Sequence, residues 1–307
     1  PTSRYPNTVA AGLASDDRPM CIVGFRSQTE FDARLIAANL ANADVPFSVS
    51  GIEISFAESL QADARITRLA KALDHDESVE GTPIREALVE PVKPQLDDAE
   101  RVGFPAVLGD DRTDAVRADL SDRLGADVFE IPMGPPSLLG LRLEDLLYDA
   151  LDAEGVHFET GNPVVDYKSN PSAGNRIDAV MVDHKGREVP YQADQYILAT
   201  GGLVGKGIES NRKRIREPIF DCHVPQPEDR YDWFVDDAFG DQPFATFGVR
   251  PDASMRPLSA DGNPTFENLF SAGSVVGGAD IAREKSASGV SLATGVIAGQ
   301  QAASKLE

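Results

Sequence analysis

Apolar and polar positions along the first 135 residues alternate between two periods. Met20-Cys21-Ile22-Val23-Gly24-Phe25 is a continuous apolar run of strand length, as expected of a strand buried on both faces of a parallel sheet. Ser27-Gln28-Thr29-Glu30 follows with capping-box spacing, in which each side chain satisfies a free amide of a first helical turn. The helix it predicts places Phe31, Leu35, Ile36 and Leu40 on one face. Phe47, Val49, Ile52 and Ile54 predict a second strand, completing a βαβ-like unit. Helical spacing continues through Ile66, Leu69 and Leu73 until Pro83, Pro91 and Pro94 interrupt it. A third strand is expected at 102–108, a helix at 114–124 and a fourth strand at 128–131.

Pro132-Met133-Gly134-Pro135-Pro136 is the candidate boundary. Beyond it, Leu143, Leu146, Leu147, Ala150 and Leu151 mark an amphipathic helix, and a strand is expected at 156–159. Strands at 164–167, 177–182 and 189–191 follow, the last two flanking a hairpin turn at His184-Lys185-Gly186. Tyr196-Ile197-Leu198-Ala199 is another buried strand, stopping at Thr200-Gly201-Gly202. The fold class is therefore α/β: a Rossmann-like three-layer module over 1–135, then a second part over 136–307 with a β-hairpin or meander. The second part is built from 136–202 and 265–305, with an irregular flap, 203–264, rich in Pro, Asp and aromatics.

Composition narrows the partners. The 307 residues are 41% hydrophobic and 26% charged, ordinary for a globular protein, but 50 Asp and Glu against 29 Lys and Arg give a net charge of −21. Acidic pairs recur along the chain, so the excess reads as a whole-surface adaptation to high salt, where the Debye length shortens to about 3 Å. This charge argues against nucleic acid or an anionic membrane surface as a direct partner. With only Cys21 and Cys222, a disulfide framework is excluded and a reducing cytoplasm is expected. No apolar run approaches the ~20 residues that span a bilayer, so membrane association is expected only through a partner.

Candidate chemistry concentrates near the C-terminus. Asn268-Leu269-Phe270-Ser271-Ala272-Gly273 leads into Gly277-Gly278, and Ser288-Gly289-Val290 starts a small-residue helix. A strand, a glycine turn and an open helix N-terminus suit an electron-rich group such as the pyrimidine edge of a flavin. The same pattern also serves a close-packed terminal helix without a ligand. Thr200, Gly201 and Gly202 end their strand in small residues that let backbone pass near a dinucleotide or flavin ring, or simply turn the chain. Gly295 to Gly299 is expected to let the helix sit close against the sheet. Gly205-Lys206-Gly207-Ile208-Glu209-Ser210 lacks the last glycine of the dinucleotide fingerprint. Cys222-His223 is too small a cluster for a metal. Arg214 and Arg216 offer anion-binding guanidinium groups or pair with nearby carboxylates.

With these residues in view, the chain resembles the B-subunit family of anaerobic glycerol-3-phosphate dehydrogenase, in a halophilic archaeal version. The resemblance rests on Gly134-Pro135-Pro136-Ser137-Leu138-Leu139-Gly140-Leu141-Arg142-Leu143, on Ile215-Arg216-Glu217-Pro218-Ile219, on Phe247-Gly248-Val249 and on the run from Asn268 to Gly278. It implies that 136–307 is a partial FAD/NAD(P)-binding-type flavoprotein domain, in an oxidoreductase with FMN or FAD that passes electrons from glycerol 3-phosphate toward quinone and releases dihydroxyacetone phosphate. It implies glycerol-3-phosphate dehydrogenase subunits A and C as partners, and a position peripheral to the membrane through the second of these. The family's strand and GxGxxG turn lie roughly one hundred residues upstream of this chain's start. The expectation for this chain is therefore a flavin half-site without tightly bound flavin and without activity by itself. Within this reading His223 is the candidate acid–base group and Arg216 the candidate anion-binding group. Two rivals stay open: a non-catalytic assembly or electron-relay subunit, and a fumarate-reductase-like flavoenzyme.

Overall fold

The computed structural model describes residues 6–57, 66–170 and 174–306. The chain divides into two compact units, one running through His157 and the other starting at Phe158.

In the first unit, β1 (Met20–Phe25), β2 (Val49–Ile54), β3 (Arg101–Pro105) and β4 (Asp127–Ile131) form one parallel sheet in the order β2-β1-β3-β4. Helices α1 (Ala33–Asn42), α2 (Ile66–Asp74), α3 (Ile84–Val92) and α4 (Thr113–Leu124) cover its two faces, and α5 (Leu138–Ala153) follows. Cys21, Val23 and Phe25 pack on one side with Leu73, Leu88, Val116 and Leu120. Met20 and Ile22 pack on the other with Phe31, Ala33, Ala37 and Phe129. Burial on both faces is why β1 shows no polar alternation. The three-layer α/β arrangement expected of this region is present.

Four local expectations are corrected. Ser27 to Glu30 lies in a turn, and α1 starts later, with Asp32 as its N-cap accepting from the Leu35 amide at 2.9 Å. Asp caps as well as Ser, and this start puts Phe31 just outside the helix, where it packs in one cluster with Ile36 as a hydrophobic staple. The shift turns Leu35 outward and leaves Ala33 and Ala37 against the sheet. No strand forms at 156–159. Gly155 takes a left-handed φ of 77°, and the Val156 amide bonds back to Leu151, so these residues wrap the end of α5. Helix α5 itself belongs to the first unit, and its expected apolar face, Leu143, Leu146, Leu147 and Leu151, is exposed.

A fully buried arginine was not foreseen. The Arg101 guanidinium donates to the carbonyls of Ala11, Leu13 and Arg18 and lies over the Phe47 ring, 4.5 Å from its centroid. Each of the three guanidinium nitrogens thus finds an acceptor, four N–H groups in all being bonded. Beside it, side-chain and backbone hydrogen bonds from Arg18 hold the Asp16 carboxyl down at about 2, from an ordinary 3.8. Because the folded value is depressed, the contribution of this contact is fully present above pH 3.8 and is lost as the pH falls toward 2. Carboxyl-detected NMR of the folded chain is expected to show Asp16 titrating near 2, and Arg18→Ala to return it toward the ordinary value.

In the second unit, β5 (Val164–Asn170), β6 (Arg176–Asp183) and β7 (Glu188–Tyr191) make an antiparallel meander. Positive φ at Lys185 (56°) and Gly186 (88°) closes the β6–β7 turn as a two-residue hairpin of the twist strands prefer. β8 (Tyr196–Leu198) pairs in parallel with β9 (Leu269–Ser271), and the chain's last helix is α6 (Ala287–Ala303). The Asn268 side chain ties meander to parallel pair, accepting from the Ile177 amide and donating to its carbonyl, both at 2.9 Å. Leu198, Ile215, Phe220, Phe247, Val249, Phe266, Leu269 and Val275 form the core.

Candidate functional site

The two parallel strands of the second unit end side by side, which brings the loop after β8 and the loop after β9 together. Thr200, Gly201 and Gly202 lie in the first, with Gly201 at a φ of 88°. Gly273, Gly277 and Gly278 lie in the second, with Gly273 at 74° and Gly278 at 98°, conformations that a side chain would strain. The loops are joined by a hydrogen bond from the Gly202 amide to the Ser274 hydroxyl at 3.1 Å. The Gly273 amide donates to the Thr294 hydroxyl at 2.8 Å, fastening the second loop to α6. Ser288, Gly289 and Val290 occupy the first turn of α6.

Behind the β9 loop runs the segment 246–249. The Val249 amide donates to Val275, the Gly277 amide to Val249 and the Gly278 amide to Thr246, at 2.8–2.9 Å. Two backbones can approach this closely because neither glycine carries a Cβ: one on Gly248 would lie 2.5 Å from the Gly277 nitrogen and the Val275 oxygen. Gly205 and Gly207 do the same for the β8 loop. A Cβ on Gly207 would sit 2.1 Å from the Gly201 oxygen, so this incomplete fingerprint is a packing element.

The N-terminus of α6 has no side-chain cap. Its residue Gly289 faces open space, with no atom within 4 Å of where a Cβ would stand, and the same holds for Gly278. Unsatisfied amides, the positive end of the helix dipole and a surface cleared of side chains together suit the electron-rich edge of a planar ring. These residues fit a flavin. The expectation for Gly295 and Gly299 is corrected: both face open space, and Ala298 and Ala302 pack against Met255, Phe270 and Ala272 instead.

Arg216 and His223 line a separate cavity of about 420 Å³ in the same unit, together with Arg214, Ser259 and Thr265. Arg216 is held by Glu209 at 3.0 Å, and Arg214 stands 4.0 Å from Asp221. His223 is exposed. Between them, the fully buried Glu217 accepts from the amides of Ile219, Phe220 and Cys222 and shapes the turn that forms one wall. Ile215, Cys222 and Val224 on this wall share one apolar cluster with Phe247, Val249 and Val275 behind the glycine loops. Among the described residues, no group of three or more His, Cys, Asp or Glu is placed to hold a metal ion, and no helix is long and apolar enough to cross a membrane.

The family model described as "FAD binding domain" matches residues 1–290. Proteins of two strains of Halobacterium salinarum, each named as the probable B subunit of anaerobic glycerol-3-phosphate dehydrogenase, are 54% identical over 307 residues, covering 99% of this chain and 71% of the relative. The chain belongs to the B-subunit family of anaerobic glycerol-3-phosphate dehydrogenase. More distant members are 29% identical over 299 residues in Pectobacterium atrosepticum, with 95% of this chain and 68% of the relative covered, and 28% identical over 293 residues in Yersinia pestis, with 94% and 65% covered. No solved structure matches.

Within this B-subunit chain, sequence reasoning missed Ser274, Thr294 and Gly248 as parts of the site. Thr294 follows Val290 by one helical turn, and its hydroxyl also donates to the Val290 carbonyl at 2.6 Å. A β-branched Thr in the middle of a small-residue helix was the available signal. Gly248 stood in a family motif, but its role depends on a contact across 29 residues that no local pattern encodes.

Proposed function

We propose that this chain is the flavin-carrying part of a subunit that oxidises sn-glycerol 3-phosphate to dihydroxyacetone phosphate, passing the electrons toward quinone through partner subunits A and C. The observation that carries the reading is the uncapped N-terminus of α6 beside two glycine loops, with Gly289 and Gly278 open. The family model favours FAD over FMN. Bound flavin supplies the two-electron acceptor. The chain's own residues do the rest. The first-turn amides of α6 would hold the electron-rich ring edge, where the positive end of the helix dipole favours negative charge. Arg216 and Arg214 bind the substrate phosphate, for which guanidinium geometry is suited. His223 takes the carbinol O–H proton as the C–H bond gives up its hydride, leaving a carbon–oxygen double bond.

The sequence contains no GxGxxG turn after a strand to grip a pyrophosphate. This chain by itself is therefore proposed to hold FAD weakly and to be inactive alone. The place of the enzyme in the cell is then peripheral to the membrane, through a partner subunit. A second reading, a non-catalytic assembly or electron-relay subunit, draws support from the exposure of His223 and the prior pairing of Arg216 with Glu209.

Anaerobic reduction of the assembled enzyme's flavin separates the readings. Glycerol 3-phosphate is expected to bleach the visible flavin band and succinate to leave it unchanged. Arg216→Ala should raise the glycerol 3-phosphate concentration needed about ten- to a hundredfold, the worth of a charge-assisted hydrogen bond. His223→Gln should slow bleaching about a hundredfold or more. Unchanged bleaching in both variants would move the chemistry to another subunit; bleaching by succinate alone would favour a fumarate-reductase-like enzyme.

A further inference from the structure

The segment between β8 and β9 exposes aromatic surface that the second unit's core does not use. Phe239 is 100% exposed and Val204 is 99% exposed, while Tyr231, Phe234 and Phe244 are each more than two-fifths exposed. Scattered apolar side chains on a surface need no explanation, but a cluster of large ones marks a contact. Phe239 is also presented, not loosely tethered. The Gln242 side chain accepts from the Val235 amide and donates to the Asp237 carbonyl, and the Asp237 carboxylate accepts from the Phe239 amide at 3.0 Å. These bonds brace a tight loop with the ring at its tip. Beside it, Trp233, Phe234, Phe244, Leu203 and Ile215 line a hollow of about 530 Å³, so a projection and a recess stand together.

The charge around this patch selects the partner. Over residues 228–241, Glu228, Asp229, Asp232, Asp236, Asp237 and Asp241 stand against Arg230, which lies over the Tyr231 ring; Arg283 pairs with Asp241 and Lys206 lines the hollow, so the rim keeps an acidic excess. Two copies of this rim facing each other would repel, which disfavours a homodimer through this face. An anionic bilayer would be repelled as well. We propose that the 228–244 loop, with Phe239 at its tip, docks onto another protein subunit of the same enzyme, through an apolar recess ringed by Lys and Arg. The inference rests on the reading that this chain works as one subunit of several. Aromatic side chains at the centre of such a contact supply most of the affinity, and the charged rim supplies partner choice.

Both native cysteines are buried, and burial pushes both thiols up, so a cysteine placed at the tip is the fast-reacting thiol. The test is maleimide labelling of Phe239→Cys, alone and in complex with co-expressed subunits A and C, with gel filtration to confirm the complex. Labelling is expected to be fast in the chain alone and about tenfold slower or more in the complex. Phe239→Ser should weaken the complex about thirtyfold without changing thermal unfolding, because the ring touches no core. Fast labelling inside a confirmed complex would overturn the docking surface while leaving the subunit reading intact. Slow labelling in the chain alone would show that its own polypeptide covers the loop, and would also overturn it. No complex with either partner would overturn the subunit reading itself.

Discussion

Gly248→Ala is expected to destabilise the second unit by about 3 kcal/mol or more and to abolish flavin binding. The added Cβ meets backbone on three sides: the Gly277 nitrogen and the Val275 oxygen at 2.5 Å, and the Gly277 Cα at 2.8 Å. A clash with a side chain can relax through a rotamer, but a clash with a hydrogen-bonded backbone cannot. Relief requires the 246–249 segment to part from the β9 loop, which breaks the bonds from the Val249, Gly277 and Gly278 amides. The loop that carries Gly273, Gly277 and Gly278 then loses its backing. Thermal unfolding together with an FAD titration checks both halves. A variant as stable as the parent would show that the two segments do not touch as described.

Arg142→Met is expected to cost about 3–5 kcal/mol in the first unit, the loss that follows when one partner of a buried ion pair is removed. Glu130 is 1% exposed, and its carboxylate accepts from Arg142 at 2.7 and 3.0 Å and from the Leu108 amide at 2.8 Å. Arg142 also donates to the Gly109 carbonyl, so one guanidinium fastens α5 to β4 and to the loop after β3. Without it, a carboxylate stays buried with one amide for a partner. The double variant Arg142→Met with Glu130→Leu should recover much of the loss, since it removes the stranded charge along with its partner. Urea unfolding of the two single variants and the double variant measures this coupling. Strictly additive losses would mean that the pair does not interact.

What the sequence made legible follows from the range of each interaction. β1, β2, β4 and α4 were readable because their burial is written in local runs and spacings, and the β6–β7 hairpin because Lys185-Gly186 carries its own turn chemistry. The start of α1 was misplaced because Ser27 and Asp32 both offer a cap, and only the packing of Phe31 on Ile36 decides between them. The face of α5 was read correctly as apolar, yet periodicity cannot say whether a face is covered. In the candidate site, the glycines of both loops and the first turn of α6 stood out by composition. The residues that hold them did not, because Ser274 acts on Gly202 and Gly248 on Gly277 across long stretches of chain. Arg142 appeared in a motif, but its partner Glu130 lies across the Pro132 to Pro136 segment and looked like any other acid of an acidic chain.

Whether flavin is held at the N-terminus of α6 is decided at Gly289. This position has no neighbour within 4 Å and lies in a helix, so Gly289→Leu should leave the fold intact and even stabilise it by up to about 1 kcal/mol. The measurement is an equilibrium titration of the parent chain and the variant with FAD, followed by flavin fluorescence, alongside thermal unfolding of both. Weak, saturable binding to the parent and none to the variant is expected, at equal or higher thermal stability. Equal FAD affinity in the two proteins, or no binding to the parent at any concentration reached, would contradict it.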